Sequence, residues 1–200
     1  PPQTYIIDIA RGMPTDFNAL EFARRHVLLL NTLTRRAKSW TENTTLYAPG
    51  GMWRGNMLER VAVLGGSSVY SPEFVMSLVS HNVNVGEIVL LGRSEHKLKL
   101  VASFCQRLLD KSGFPAKVRG TTNLDEAVQD ASCIINNIRV GGMRARLRDE
   151  KLPLKFGMLG DESLGAGGFA NALRTLPVLF EFAELIQREA PDAVLINLTN

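Results

Sequence analysis

The residues best suited to chemistry fall at the ends of short apolar runs. Gly65-Gly66-Ser67-Ser68 closes the run Val61-Ala62-Val63-Leu64, and Ser71-Pro72-Glu73 follows. Ser71 reads as a helix N-cap with Pro72 at the first helical position. Backbone amides at such a turn, beside the positive end of a helix dipole, suit a phosphate or pyrophosphate. Gly-Gly-Ser-Ser is not Gly-x-Gly-x-x-Gly, and an ordinary strand–turn–helix connection would read the same way. The second apolar run ends in Leu91-Gly92-Arg93. A dinucleotide site commonly places an acidic residue there for the ribose hydroxyls. Arg93 could instead pair with a 2′-phosphate, stack on adenine, or simply stand at the surface.

Three further stretches carry candidate groups. Arg139 to Glu150 combines Gly141 and Gly142 with Arg139, Arg144, Arg146 and Arg148. The glycines allow close backbone approach, and the arginines can fork onto phosphate or carboxylate. The same spacing, with Arg146 and Glu150 four apart, also fits a solvated helix face. Gly160 to Gly168 holds Asp161 and Glu162 in a glycine-rich loop before a helix. It reads either as a ligand loop or as a turn that caps the helix. Asn197-Leu198-Thr199-Asn200 sets two carboxamides at a strand end, able to donate to and accept from hydroxyls. His26, His81 and His96 lack partner spacing and read as structural. Cys105 and Cys133 sit in apolar settings without metal-ligand spacing, as buried free thiols in a reducing compartment do.

These groups need a frame. Strand and helix patterns alternate from residue 57 onward: strands at 61–64, 87–91, 116–120, 132–138 and 193–198, and helices at 95–111, 124–129 and 168–189. Pro177 is expected to interrupt the last helix. The arginine-rich stretch is expected to be a loop with irregular connections. Such alternation predicts an α/β fold: a Rossmann-like, doubly wound, mostly parallel sheet with helices on both faces. In that fold the strand tips at Gly65–Ser68, Gly92–Arg93, Asn136–Arg139 and Asn197–Asn200 converge on one crevice. Residues 1–56 differ in character. Apolar spacing from Thr15 to Ser39 predicts a helix, and Trp40–Asn56 reads as a loop. The expected division is a helical N-terminal extension, 1–56, and a cofactor-binding domain, 57–200.

Charge and hydropathy narrow the function classes. The formal net charge is +3, but residues 1–56 carry seven Lys/Arg against four Asp/Glu, and residues 57–200 carry sixteen of each. A balanced domain gives no basic footprint for nucleic acid. No apolar run approaches 18 residues, so no membrane span is expected. Nor is a signal peptide evident, which points to the cytoplasm.

Taken in order, these pieces resemble the N-terminal half of the family 4 glycoside hydrolases, especially the 6-phospho-β-glucosidase branch. The resemblance rests on Gly65-Gly66-Ser67-Ser68-Val69-Tyr70-Ser71-Pro72-Glu73, Val85-Gly86-Glu87-Ile88, and Ile138-Arg139-Val140-Gly141-Gly142 with Arg146. It continues through Asp149-Glu150-Lys151-Leu152-Pro153, Gly160-Asp161-Glu162, Gly165-Ala166-Gly167-Gly168-Phe169, Ala172-Leu173-Arg174-Thr175 and Asn197-Leu198-Thr199-Asn200. It implies an NAD- and divalent-metal-dependent glycosidase, the metal commonly manganese. The sugar would be oxidised at C3, lose its C2 proton, eliminate the C1 leaving group, add water and be reduced again. This class stands outside the two-carboxylate scheme.

Carried over by position, the resemblance implies that Gly65, Gly66, Ser67 and Ser68 cradle the pyrophosphate. Asn137 and Arg139 would line the nicotinamide end. Arg146 and Glu162 would contact the substrate, Arg146 at a sugar phosphate, and Asn197 and Asn200 would meet sugar hydroxyls. The catalytic base and the metal ligands are expected after Asn200, so the chain is expected to be a fragment, inactive on glycosides alone. A full-length relative would be a homo-oligomer. Three departures stand out: Ser67 replaces a third glycine, Gly92-Arg93 replaces an acidic position, and Asp161 replaces a glutamine. They imply an altered cofactor preference, with NADP possible. The competing readings are a lactate/malate dehydrogenase-like oxidoreductase and a non-catalytic dinucleotide-binding module.

Overall fold

The computed structural model describes residues 6–8 and 58–199. The expected helix at Thr15–Ser39, the loop at 40–56 and Asn200 lie outside the described residues. The elements run β1 (Ile6–Asp8), β2 (Leu58–Leu64), α1 (Ser71–Ser80), β3 (Val85–Leu91), α2 (Glu95–Lys111), β4 (Lys117–Thr121) and α3 (Leu124–Val128). There follow β5 (Cys133–Asn136), α4 (Gly142–Leu154), α5 (Gly165–Glu189) and β6 (Val194–Asn197). All pair in parallel in one sheet of order β1-β6-β5-β2-β3-β4. The chain steps outward from β2 to β3 and β4, then returns to the other side of β2 for β5 and β6. The reversal falls between β2 and β5, where a doubly wound sheet opens its crevice.

Period-two alternation explains why β2 is the centre. Val61 and Val63 enter one core with Phe74, Val75 and Leu78 of α1 and Leu98, Cys105 and Leu109 of α2. Ala62 and Leu64 enter the opposite core with Ala127 and Val128 of α3 and Leu185 and Ile186 of α5. All four β2 residues are buried. A strand buried on both faces must be apolar at every position, which is why it reads as a continuous run. The helices therefore cover both faces, as expected.

Local signals fix several boundaries. Ser94 caps α2, its hydroxyl accepting from the Lys97 amide at 3.4 Å. Gly113, at φ +65°, ends it, and the Phe114 amide reaches back to the Leu109 carbonyl at 3.0 Å. That pair of features is the Schellman stop. Asn123 caps α3 through the Glu126 amide.

Other expectations need correction. Ser71 is not the cap of α1; Tyr70 is, and Ser71 is the first helical residue. Its hydroxyl donates to the Gly66 carbonyl at 2.7 Å and ties the helix to the preceding turn. The arginine-rich stretch is not a loop but α4, entered through Gly141 and Gly142 at φ +80° and +63°. Pro177 does not interrupt α5, which runs 25 residues through it. It lies on the exposed side, where water can satisfy the carbonyl that the missing N–H leaves open. β1 was not anticipated: Ile6, Ile7 and Asp8 lie against Leu195, Ile196 and Asn197 of β6.

Phe156, Leu159 and Leu164 between α4 and α5, and Phe169, Leu173 and Phe180 on α5, are exposed. So many large apolar side chains left bare in one stretch suit contact with another body. No helix among the described residues is long and apolar enough to cross a membrane.

One surface cluster makes the fold pH-sensitive. The Thr121 hydroxyl, together with Arg119, holds the Glu126 carboxyl below its usual range. A depressed carboxyl stabilises the fold above its unfolded value and loses that contribution as pH falls through its folded value. Glu126→Gln should therefore lower stability at neutral pH and flatten the loss of stability below about pH 4.3, the usual glutamate value. Urea melts across that range check it.

Candidate functional site

The tips of β2, β5 and β6 are stitched together by backbone hydrogen bonds. The Asn137 amide donates to the Leu64 carbonyl at 2.9 Å, and the Leu198 amide to the Asn136 carbonyl at 2.8 Å. The Thr199 hydroxyl donates to the Ile138 carbonyl at 3.0 Å. On the other side of β2, the Gly65 and Gly66 amides both donate to the Leu91 carbonyl, at 3.1 and 2.7 Å. Four strand ends thus open at one edge of the sheet, as the sequence suggested.

Gly65 and Gly66 are required there on steric grounds. Gly65 has φ +91°, and a Cβ on it would overlap the Asn137 backbone carbonyl. A Cβ on Gly66 would lie 2.6 Å from the Leu90 Cβ. The two glycines let the turn sit directly on β3 and against the segment after β5. The Ser67 and Val69 amides donate to no acceptor among the described residues. Together with the N-terminus of α1 they form a bare backbone cradle that fits a pyrophosphate.

The candidate ribose corner lies alongside. A Cβ on Gly92 would meet Ser67 Oγ at 2.9 Å and Ser67 Cβ at 3.1 Å. Arg93 is exposed, with no hydrogen bond or ion pair among the described residues.

The candidate substrate side is built by α4 and the turn before α5. Glu162 Oε2 accepts from Arg139 at 2.5 Å and lies 3.2 Å from Arg146 Nε. Arg146 also pairs with Glu150 at 2.7 Å, one helical turn on. The hydrogen bond to Glu150, with Glu162 and Tyr70 adding to it against the cost of burial, raises the Arg146 guanidinium above its usual value. Arg139, Arg146 and Glu162 are therefore brought together, 23 or fewer residues apart in sequence but from three separate segments. Arg144 and Arg148 are exposed.

Asn197 is half-buried and held by the chain itself. Asn136 Nδ2 donates to its Oδ1 at 2.7 Å, across the β5–β6 pair. Asn136 Oδ1 is buried and has no partner among the described residues. Sequence reasoning set Asn136 at a strand tip but gave the site role to Asn137 alone; the signal for Asn136 was its position as the last strand residue, opposite Asn197.

A second missed element is Arg174. Its guanidinium grips buried Asp149 on α4 with two bonds, 3.1 and 2.5 Å, and donates to the Val140 carbonyl at 2.9 Å. Asp149 in turn raises the Arg174 guanidinium above its usual value. Arg174 thereby locks α5, α4 and the segment after β5 into one unit. Asp161 is structural as well: its Oδ1 accepts from the Ser163 and Leu164 amides at 2.6 and 3.0 Å, closing the turn that leads into α5. Its charge lies at the positive end of that helix.

Cys105 and Cys133 are buried free thiols, and burial pushes both up to about 12. Neither can readily supply a thiolate ligand. Among the described residues no three His, Cys, Asp or Glu side chains gather as metal ligands do. A groove of about 680 Å³ lies between α2 and β4, lined by Leu98, Lys99, Gln106, Arg107 and Val118 among others. It runs along the sheet edge and shares no residue with the crevice.

An all-parallel doubly wound sheet with a bare glycine turn at its reversal point defines a Rossmann-like fold. Comparison with known proteins goes further: the Family 4 glycosyl hydrolase profile matches residues 60–200. The chain belongs to that family. It is 37% identical over 145 residues to the 6-phospho-beta-glucosidase of Escherichia coli (strain K12), a match covering 70% of this chain and 32% of that protein. Its fold superposes on the Thermotoga maritima 6-phospho-beta glucosidase solved with manganese, NAD+ and glucose-6-phosphate. That match has TM-score 0.65 and 37% identity, over 71% of this chain and 34% of that one. It also superposes on a 6-phospho-alpha-glucosidase from gut microorganisms in complex with NAD and Mn2+, with TM-score 0.67 and 29% identity. There the match covers 71% of this chain and 33% of that one. The chain thus spans about a third of the length of these relatives.

Two substitutions test the frame. Gly65→Ala should destabilise the domain by about 3 kcal/mol, combining a positive φ with overlap onto a carbonyl. Arg174→Ala leaves Asp149 buried and unpaired and should cost about 3 kcal/mol or more. Chemical denaturation measures both, and a loss under about 1 kcal/mol in either would contradict the corresponding contact.

Proposed function

We propose that this chain is the dinucleotide-holding, sugar-facing part of an NAD- and divalent-metal-dependent glycosidase that hydrolyses 6-phosphorylated O-glycosides. The supporting observation is the Arg139–Glu162–Arg146 cluster standing at the same sheet edge as the bare Gly65–Ser68 turn, in a family 4 chain. When bound, the dinucleotide supplies a reversible hydride acceptor and the metal a Lewis acid.

The chain's own residues bind and orient. Amides of Gly65 to Ser68 hold the pyrophosphate. Asn137 and Arg139 border the nicotinamide end. Arg146, whose guanidinium is fixed by Glu150, receives the sugar phosphate as a charge-assisted donor. Glu162 keeps Arg139 and Arg146 together and accepts from a sugar hydroxyl. Asn197, oriented by Asn136, and Asn200 hold further hydroxyls. No catalytic or metal-ligating side chain is assigned to this chain. The exposed apolar side chains between α4 and α5 and on α5 support a larger working body, such as the homo-oligomer, and the buried free thiols suit the cytoplasm.

The test is an assay of the intact reading frame on 6-phospho-glycosides and their unphosphorylated counterparts. Cleavage should require both a nicotinamide dinucleotide, NAD or NADP, and Mn2+, favour the phosphorylated sugar, and leave no net reduced nicotinamide. Stoichiometric reduction would instead mark a dehydrogenase, and dinucleotide binding without turnover a binding module. Arg146→Ala should raise KM for the phosphorylated substrate by roughly 10- to 100-fold, the loss of one charged hydrogen bond.

A further inference from the structure

Two departures from the expected dinucleotide pattern touch each other in space. Ser67 stands where a third glycine was expected, and Gly92 where an acidic residue was expected. The Ser67 side chain occupies the room above Gly92, so a Cβ there would fall 2.9 Å from its hydroxyl oxygen. An aspartate at 92 cannot be seated unless Ser67 gives way and Leu98 Cδ2, 3.1 Å from that Cβ, shifts slightly. The serine and the missing carboxylate are therefore coupled by contact. The result is a ribose corner with no fixed anion. Arg93 stands there exposed and without an ion pair among the described residues, and Ser67 offers a hydroxyl beside it. The nearest charges in sequence, Glu95 and Lys97 on the first turn of α2, are both exposed and of opposite sign.

We propose that the Ser67–Gly92–Arg93 corner is a 2′-phosphate subsite, so that this chain prefers NADP to NAD. The proposal rests on the dinucleotide reading above and specifies which form is taken. A carboxylate at this place accepts the ribose hydroxyls and repels a 2′-phosphate, whereas an arginine pairs with it.

Titration calorimetry with NAD, NADP and the fragment pair 2′,5′-ADP and 5′-AMP tests it on the 200-residue chain. NADP should bind at least 10-fold tighter than NAD, and 2′,5′-ADP at least 10-fold tighter than 5′-AMP. Arg93→Ala should bring each pair to within about threefold, and Ser67→Gly with Gly92→Asp should reverse the preference. The steric link has its own readout. Gly92→Asp alone should lower Tm, and adding Ser67→Gly should restore most of the loss. NAD binding as tight as NADP, or a preference that survives Arg93→Ala, overturns the proposal and leaves the dinucleotide reading standing. Binding of neither dinucleotide overturns both.

Discussion

The crevice depends on the absence of side chains where β2 and β5 end. Gly65 lies so close to the Asn137 carbonyl that no Cβ fits between them. That closeness is what the reversal of strand order requires, because two neighbouring parallel strands send their chains off in opposite directions at this point. The same bareness leaves amides uncovered. A steric demand of the fold and a chemical opportunity for an anion are thus met by the same residues.

Around that point the structure separates positioning from contact. Arg174 is one of the most heavily bonded side chains described, yet it belongs to the frame: it binds α4 through Asp149 and the segment after β5 through Val140. Arg139 and Arg146, the candidates for the nicotinamide end and the sugar phosphate, are held more lightly by Glu162 and Glu150. A buried ion pair left half-made is costly, whereas an exposed one is weak and exchangeable. The placement suits a rigid scaffold under an adaptable rim.

Much of this was legible in the sequence, for physical reasons. The apolar run of β2 announces two-sided burial, and Gly113 and Asn123 mark helix ends through local bonding. What escaped was non-local or weakly patterned. The Arg174–Asp149 pair joins residues 25 apart, with nothing in either neighbourhood to reveal it. α4 is poor in apolar residues, with buried positions only at Ala145, Asp149 and Pro153, so its helical period is faint. Pro177 suggested a break because the rule for buried helices was applied to an exposed turn. Ser71 was misplaced by one residue because its hydroxyl serves the preceding turn rather than the helix end.

Glu162 has a consequence of its own. By lying on both Arg139 and Arg146, it lets two cations stand close together without mutual repulsion. An incoming dianion would meet a neutralised cluster, so it is held as one more acceptor on Arg146 beside the carboxylates rather than captured by bare charge. Ionic strength should then weigh less on affinity than two arginines alone would suggest, and discrimination would come from how the anion fits beside Glu162 and Glu150.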